Sequence, residues 1–272
     1  MEHLTAVVTG ATSGIGLAAA VELARQGYRV VLVGRDTGRT ASAVAAVAAV
    51  ATGPAPAECL ADFTRLDDVR KLAAHLRDAY PRLDVLANNA GGVIRRRTST
   101  VDGFETTLQV NHLAPFLLTN LLRDALRGGR VVNTASDAHW MGTLDPARLT
   151  GARGVYSLWL AYAAAKQANV LFTVEAARRW PDVVSAAYHP GVVRTRFGND
   201  TIATVFFRFM PFLDTPEQGA DTLVWLATAP AAAITSGGYY TTRRLATASR
   251  RATDPDLAER LWTASTEAVG LT

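Results

Sequence analysis

"VVTGATSGIG", Val7 to Gly16, decides how the rest of the chain is read. A β-branched run enters a turn with glycines at 10, 14 and 16, and helix-forming residues follow. In such a turn Gly10 permits a tight exit from a strand. Gly14 lets the backbone approach a pyrophosphate, and Gly16 lets the helix pack close to the sheet. The free N–H groups and dipole of the helix N-terminus favour an anion. The stretch therefore predicts a nucleotide phosphate site formed by Gly10, Thr12, Ser13, Gly14, Ile15 and Gly16.

Outward from this turn, short β-rich runs alternate with helical stretches. Strands are expected at Leu4–Thr9, Arg29–Val33, Glu58–Ala61, Leu83–Asn88, Arg130–Ala135, Val183–Tyr188 and Gly238–Thr241. Helices are expected at Ile15–Gln26, Thr37–Ala51, Leu66–Tyr80, Val101–Leu126 with a kink at Pro115, Ser157–Trp180, Thr215–Ala229 and Asp254–Val269. Strands alternating with helices of this length imply βαβ units. The expected fold is α/β: one Rossmann-type, doubly wound domain over residues 1–272, with about seven parallel strands and helices on both faces. No Pro/Gly/Ser-rich linker divides it.

Composition narrows the functional class. Half of the 272 residues are apolar, enough for a sizeable core, and no apolar run approaches the ~18 residues of a membrane span. The N-terminus shows no basic segment followed by an apolar one, so no signal peptide is read. A single cysteine, Cys59, allows no internal disulfide and fits a reducing cytoplasm; in its apolar stretch it reads as core. The Arg95–Arg97 and Arg243/Arg244/Arg250/Arg251 clusters carry no interleaved aromatics or zinc motif, and read as solvated surface rather than a nucleic-acid site. No His/Cys/Asp cluster has metal-ligand spacing.

The second expected strand ends "VLVGRD" (31–36). A site selective for NAD places a carboxylate there for the ribose 2′-hydroxyl. Here Gly34 takes that place and Arg35 follows, with Arg39 beyond. Guanidinium groups suit a 2′-phosphate, so NADP(H) is the expected cofactor.

Four further stretches fall in order: "LANNAG" (86–91), "LQVNHLAPFLLTNLL" (108–122), "VVNTASDAH" (131–139) and "YAAAK" (162–166). Together with the glycine turn, the chain resembles the short-chain dehydrogenase/reductase family from about Leu4 to Tyr240. "AYAAAKQANVLFTVEAARR" (161–179), "YHPGVVRT" (188–195) and the 26-position gap from Ser136 to Tyr162 resemble its retinol-dehydrogenase-like branch. Animal members of that branch often carry an N-terminal membrane anchor, and this sequence shows none.

The resemblance implies a catalytic set of Asn111, Ser136, Tyr162 and Lys166. Tyr162 and Lys166 at i, i+4 share a helix face. A nearby ammonium is expected to lower the phenol's pKa from about 10, so that Tyr162 exchanges a proton with a carbonyl or alcohol oxygen. Ser136 would orient that oxygen, and Asn111 would hold a water beyond Lys166. Lys166 is one of only two lysines among 28 basic residues. The resemblance also implies that Asp62 and Phe63 read the adenine. Asn88, Ala90 and Gly91 would line the ribose and phosphate path, and Pro190, Gly191, Val193 and Thr195 would meet the nicotinamide.

Residues 196–214, "RFGNDTIATVFFRFMPFLD", are expected to form an apolar substrate lid. Val93, Trp140, Met141, Phe197 and Phe206 are the candidate substrate contacts, and His139 reads as a satisfied loop histidine. The expected activity is reduction of a lipophilic carbonyl, or the reverse oxidation. Two other readings stay open: a catalytically silent NADP-binding sensor or interaction protein, and a non-redox dehydratase or cyclase using the same site. The resemblance allows a homodimer through two long central helices, and equally a monomer.

Overall fold

The computed structural model describes residues 3–150, 156–193 and 213–271. Its strands are β1 (Thr5–Thr9), β2 (Arg29–Gly34), β3 (Ala57–Leu60), β4 (Val85–Asn88), β5 (Arg130–Thr134), β6 (Val184–His189), β7 (Tyr239–Thr241) and β8 (Arg244–Ala246). They form one sheet in the order β3-β2-β1-β4-β5-β6-β7-β8. All neighbours are parallel except β7 and β8. The chain reverses its direction of winding between β1 and β4, so their carboxyl ends open a crevice where α/β sheets hold ligands.

Both sheet faces are covered, because the strands are apolar at odd and even positions alike. Val7, Val31, Val33, Leu86 and Val131 face one core, with α3 (Leu66–Ala79), α5 (Ala114–Leu121), α6 (Leu158–Arg179) and α8 (Pro255–Ala268). Ala6, Val8, Val30, Leu32 and Val132 face the other, with α1 (Gly14–Arg25), α2 (Thr37–Ala48) and α7 (Pro216–Thr228).

The structure corrects two expectations. The sheet has eight strands rather than seven, because a two-residue turn at Thr242 and Arg243 folds β8 back on β7. Both turn residues are left-handed, with φ of 46° and 60°, although neither is Gly or Asn. The α7 segment holds them there: Arg243 N donates to Thr222 Oγ1 at 3.1 Å and its guanidinium pairs with Asp221.

Second, the long helix expected at 101–126 starts only at Thr106. Gly103 at φ 85° makes the preceding turn, and both Glu105 carboxylate oxygens cap the helix at Thr107 N and Leu108 N. It then runs as α4 (Thr106–Leu108), a π-helical turn (Gln109–Leu113) and α5. The irregularity expected at Pro115 is this π-turn: Pro115 has no N–H to return to the Asn111 carbonyl, and Ala114 N reaches back to Gln109 O.

The resemblance allows a monomer, and equally a homodimer through the outer face of α5 and α6. Helix α8 lies across it, with the Trp262 ring 5.0 Å from Phe116, 5.7 Å from Phe172 and 5.1 Å from Trp180. Among the described residues, no helix is long and apolar enough to cross a membrane.

Candidate active site

The glycine turn lies at the carboxyl end of β1. Gly10 and Gly14 have φ of 65° and 55°, values that favour glycine. A Cβ at Gly10 would stand 2.9 Å from Ala90 Cα, and one at Gly16 would stand 2.4 Å from Gly10 O. Ser13 N-caps α1 without a side-chain cap bond. The first-turn N–H groups of α1 are thus left for an acceptor outside the helix, the donor set that a pyrophosphate needs. Thr9, which sequence reasoning passed over, ties this turn to β4. Its hydroxyl accepts from Asn89 N at 2.9 Å and Ala90 N at 3.0 Å, and Asn89 Nδ2 donates to Thr9 O at 2.9 Å.

At the end of β2 a side chain on residue 34 has no room. A Cβ on Gly34 would lie 2.1 Å from Thr40 Oγ1 and 2.6 Å from Thr12 Cγ2. Arg35 is exposed. The Asp36 carboxylate is engaged locally as the N-cap of α2, accepting from Arg39 N at 2.8 Å. Arg39 reaches back to Ser13 Oγ at 3.4 Å. Arg39 therefore reaches the glycine turn, Arg35 stands exposed just past the end of β2, and the nearby Asp36 carboxylate is taken up by the α2 N-cap. Asp62 accepts from Thr64 N at 3.0 Å in the turn after β3, and Phe63 is buried in the core.

Asn88 departs from its expected place. Its Nδ2 donates to Thr119 Oγ1 and to Asn133 Oδ1, each at 2.9 Å, and the residue is 4% exposed. The side chain is committed inside the fold, because β5 and α5 supply its partners there. Ala90 and Gly91 do border the crevice: a Cβ on Gly91 would stand 2.4 Å from Asn111 Oδ1 and 3.6 Å from Lys166 Nζ.

Asn111, Ser136, Tyr162 and Lys166 come together from the π-turn, the end of β5 and helix α6. The Asn111 amide donates to Gly92 O at 2.9 Å and Thr107 O at 2.8 Å, and its oxygen accepts from Gly92 N at 3.1 Å. Ser136 begins a 3-10 turn (Asp137–Met141), its hydroxyl accepts from Ala138 N at 3.2 Å, and it faces the Tyr162 phenol. Lys166 Nζ donates to Thr134 O at 2.9 Å and lies over the Tyr162 ring, 5.4 Å from its centroid.

The expected lowering of the phenol by the ammonium is not what the chain's own groups produce. Burial pushes Tyr162 up, with Ser136 pulling the other way, and burial pushes Lys166 down to about 7. Desolvation penalises both charged forms.

His139 is a satisfied loop histidine, as expected: buried, with Nδ1 donating to Ser136 O at 2.7 Å and Nε2 accepting from Ser249 N at 3.0 Å. Pro190 and Gly191 follow β6; Gly191 has φ 84°, and a Cβ there would meet Asp214 Oδ2 at 2.1 Å. Val193 packs on Gly219 at the start of α7. Thr195, Phe197, Phe206 and the expected lid up to residue 212 lie outside the described residues. Val93 is half-buried, whereas Trp140 and Met141 are 56% and 55% exposed beside Ser136. Sequence reasoning missed Trp159. It is 44% exposed, one helical turn before Ala163, whose carbonyl meets Gly142 just beyond Met141. Its spacing of three from Tyr162 was the available signal.

Known proteins agree with this arrangement. The family model described as short chain dehydrogenase matches residues 4–204. A Streptomyces sp. (strain C5) protein, provisionally named daunorubicin C-13 ketoreductase, is 57% identical over 98% of this chain and 92% of its own. Bos taurus retinol dehydrogenase 12 is 38% identical over 97% of this chain and 86% of its own. The crystal structure of an uncharacterised Mycobacterium paratuberculosis protein superposes with a TM-score of 0.81 at 33% identity, covering 98% of this chain and 93% of that one. Motif order, sheet topology and sequence identity converge, and the chain belongs to the short-chain dehydrogenase/reductase family of nicotinamide-dependent oxidoreductases, in its retinol-dehydrogenase-like branch.

Proposed function

We propose that this protein is an NADPH-dependent ketoreductase acting on a bulky lipophilic ketone. The observation that carries the reading is the buried Lys166 Nζ lying over the Tyr162 ring, whose phenol faces the Ser136 hydroxyl, at the mouth of a nucleotide crevice. A silent binding protein has no need of that proton machinery.

The glycine turn and the N-terminus of α1 would hold the pyrophosphate, and Arg35 and Arg39 the 2′-phosphate. The close packing at Gly34 supports this preference, because it excludes the carboxylate that an NAD site would use. Bound there, the cofactor supplies the hydride. Ser136 and Tyr162 orient the substrate carbonyl, and the phenol gives its proton to the oxygen as charge develops. A phenol kept neutral by burial is in the right form to donate. Lys166 then stabilises the phenolate left behind, and Asn111 keeps the adjoining turn in register.

The ketone and its bulk are suggested by the name of the Streptomyces relative and by the exposed apolar side chains of Trp140 and Met141, which follow Ser136 in the chain. The test is NADPH oxidation with a panel of aliphatic, aromatic and fused-ring ketones. Turnover that disappears in Tyr162→Phe while NADPH still binds is expected. Wild-type protein that binds NADPH and reduces nothing across the panel would refute the reading.

A further inference from the structure

His112 stands one residue beyond Asn111 in the π-turn and is fully buried. Burial pushes its pKa down to about 4, so the ring is neutral, with one donor and one acceptor nitrogen. Nε2 lies 3.0 Å from Ser265 Oγ on α8. The ring packs against Phe116 and Phe172 at 5.9 and 6.3 Å between centroids. Nδ1 is buried without a hydrogen-bond partner, and the Asn169 side chain lies near the ring.

Asn169, 5% exposed, in turn donates Nδ2 to Thr134 O at 3.1 Å. That is the carbonyl that accepts Lys166 Nζ at 2.9 Å. A carbonyl oxygen offers two lone pairs. With Asn169 on one, the ammonium is confined to the other, and its remaining N–H groups are left for the side where Gly91 and Asn111 lie.

Given the reading of Asn111 and Lys166 above, we propose that the groups around the site are braced from behind: Ser265 on α8 holds His112 and with it the Asn111 turn, and buried Asn169 holds the carbonyl that aims Lys166. A π-turn needs this kind of support, because its backbone bonding is poorer than an α-helix's. A hydroxyl–imidazole contact gives direction that apolar packing alone would not, and an apolar replacement of both partners could be as stable. Ser265 lies beyond the shared family segment, on α8 (Pro255–Ala268), whereas the family match covers residues 4–204 and includes His112 and Asn169. Asn169, His112 and Ser265 act through other residues and are positioning residues.

The experiment uses the full chain with NADPH and the best ketone of the panel. It compares Ser265→Ala, Ser265→Thr and Asn169→Leu by kcat, KM, NADPH affinity and Tm. Ser265→Ala is expected to lower kcat about tenfold with ketone KM within about twofold, and Ser265→Thr, which keeps the hydroxyl, to restore it. Asn169→Leu is expected to lower kcat roughly 10- to 100-fold, the cost of a small misplacement near the chemistry, and to weaken NADPH binding about tenfold. Wild-type kcat and NADPH affinity in Ser265→Ala and Asn169→Leu, whatever their Tm, would overturn the brace. A kcat loss that Ser265→Thr does not recover would reduce it to packing and overturn it too. If Asn169→Leu does not fold, the two Ser265 variants decide. If wild type reduces no ketone, the functional reading fails, and NADPH affinity in Asn169→Leu still decides the brace.

Discussion

The Lys166 ammonium lies over the face of the Tyr162 ring, 5.4 Å from its centroid, while it donates to the Thr134 carbonyl at 2.9 Å. One compact cation thus touches the phenol's π-face, the sheet and the crevice at once. A planar guanidinium has a different shape and a fixed fork of donors. Lys166→Arg is therefore expected to lower kcat/KM about 100-fold despite keeping the charge, measured by steady-state NADPH oxidation. A loss under threefold would show that charge alone suffices.

The same burial has a consequence for stability against pH. Lys166 titrates near 7 in the folded chain and near 10.5 when unfolded. Between those values the unfolded state binds more protons, so this residue makes stability rise with pH across that window and fall as pH drops toward 7. Tyr162 is pushed up, so its opposite contribution begins only above about pH 10. Urea unfolding of Lys166→Met without added nucleotide should flatten the rise between pH 7 and 10. It should also gain stability on the order of 2–4 kcal/mol near pH 7.

At the nucleotide end, Arg35→Ala should lower kcat/KM for NADPH about tenfold and leave that for NADH nearly unchanged, which a paired kinetic comparison reads. Gly34→Ala should not change cofactor choice but should destabilise the fold by about 1–3 kcal/mol, because the new Cβ meets Thr40 Oγ1 at 2.1 Å. Chemical denaturation measures that loss.

Trp262→Ala removes the ring shared by Phe116, Phe172, Trp180 and the Arg179 guanidinium. The expected cost is about 3–5 kcal/mol. The change should also uncover the outer face of α5 and α6, with concentration-dependent self-association seen by analytical ultracentrifugation.

The glycine spacing, the strand–helix alternation and the order of the four later motifs were enough to read the fold and to name four residues that the fold brings together. They are local patterns, set by turn geometry, by periodicity and by i, i+4 spacing on one helix. Strand β8 was not legible, because its turn is made by Thr242 and Arg243. Their left-handed conformation depends on Asp221 and Thr222, some twenty residues away. The late start of α4 was missed, and Glu105 capping with Gly103 decided it.

What the sequence determined by itself was the family of folds and the chemistry available at the carboxyl edge of the sheet. Tertiary structure alone decided where buried polar groups point. Asn88 turns into the sheet, Lys166 and Asn169 share the Thr134 carbonyl, and the Ser265 hydroxyl meets His112 across 153 positions of chain. The physical reason is that a buried donor or acceptor must find its partner wherever the packed elements bring one, and such partners leave no periodic trace in the chain.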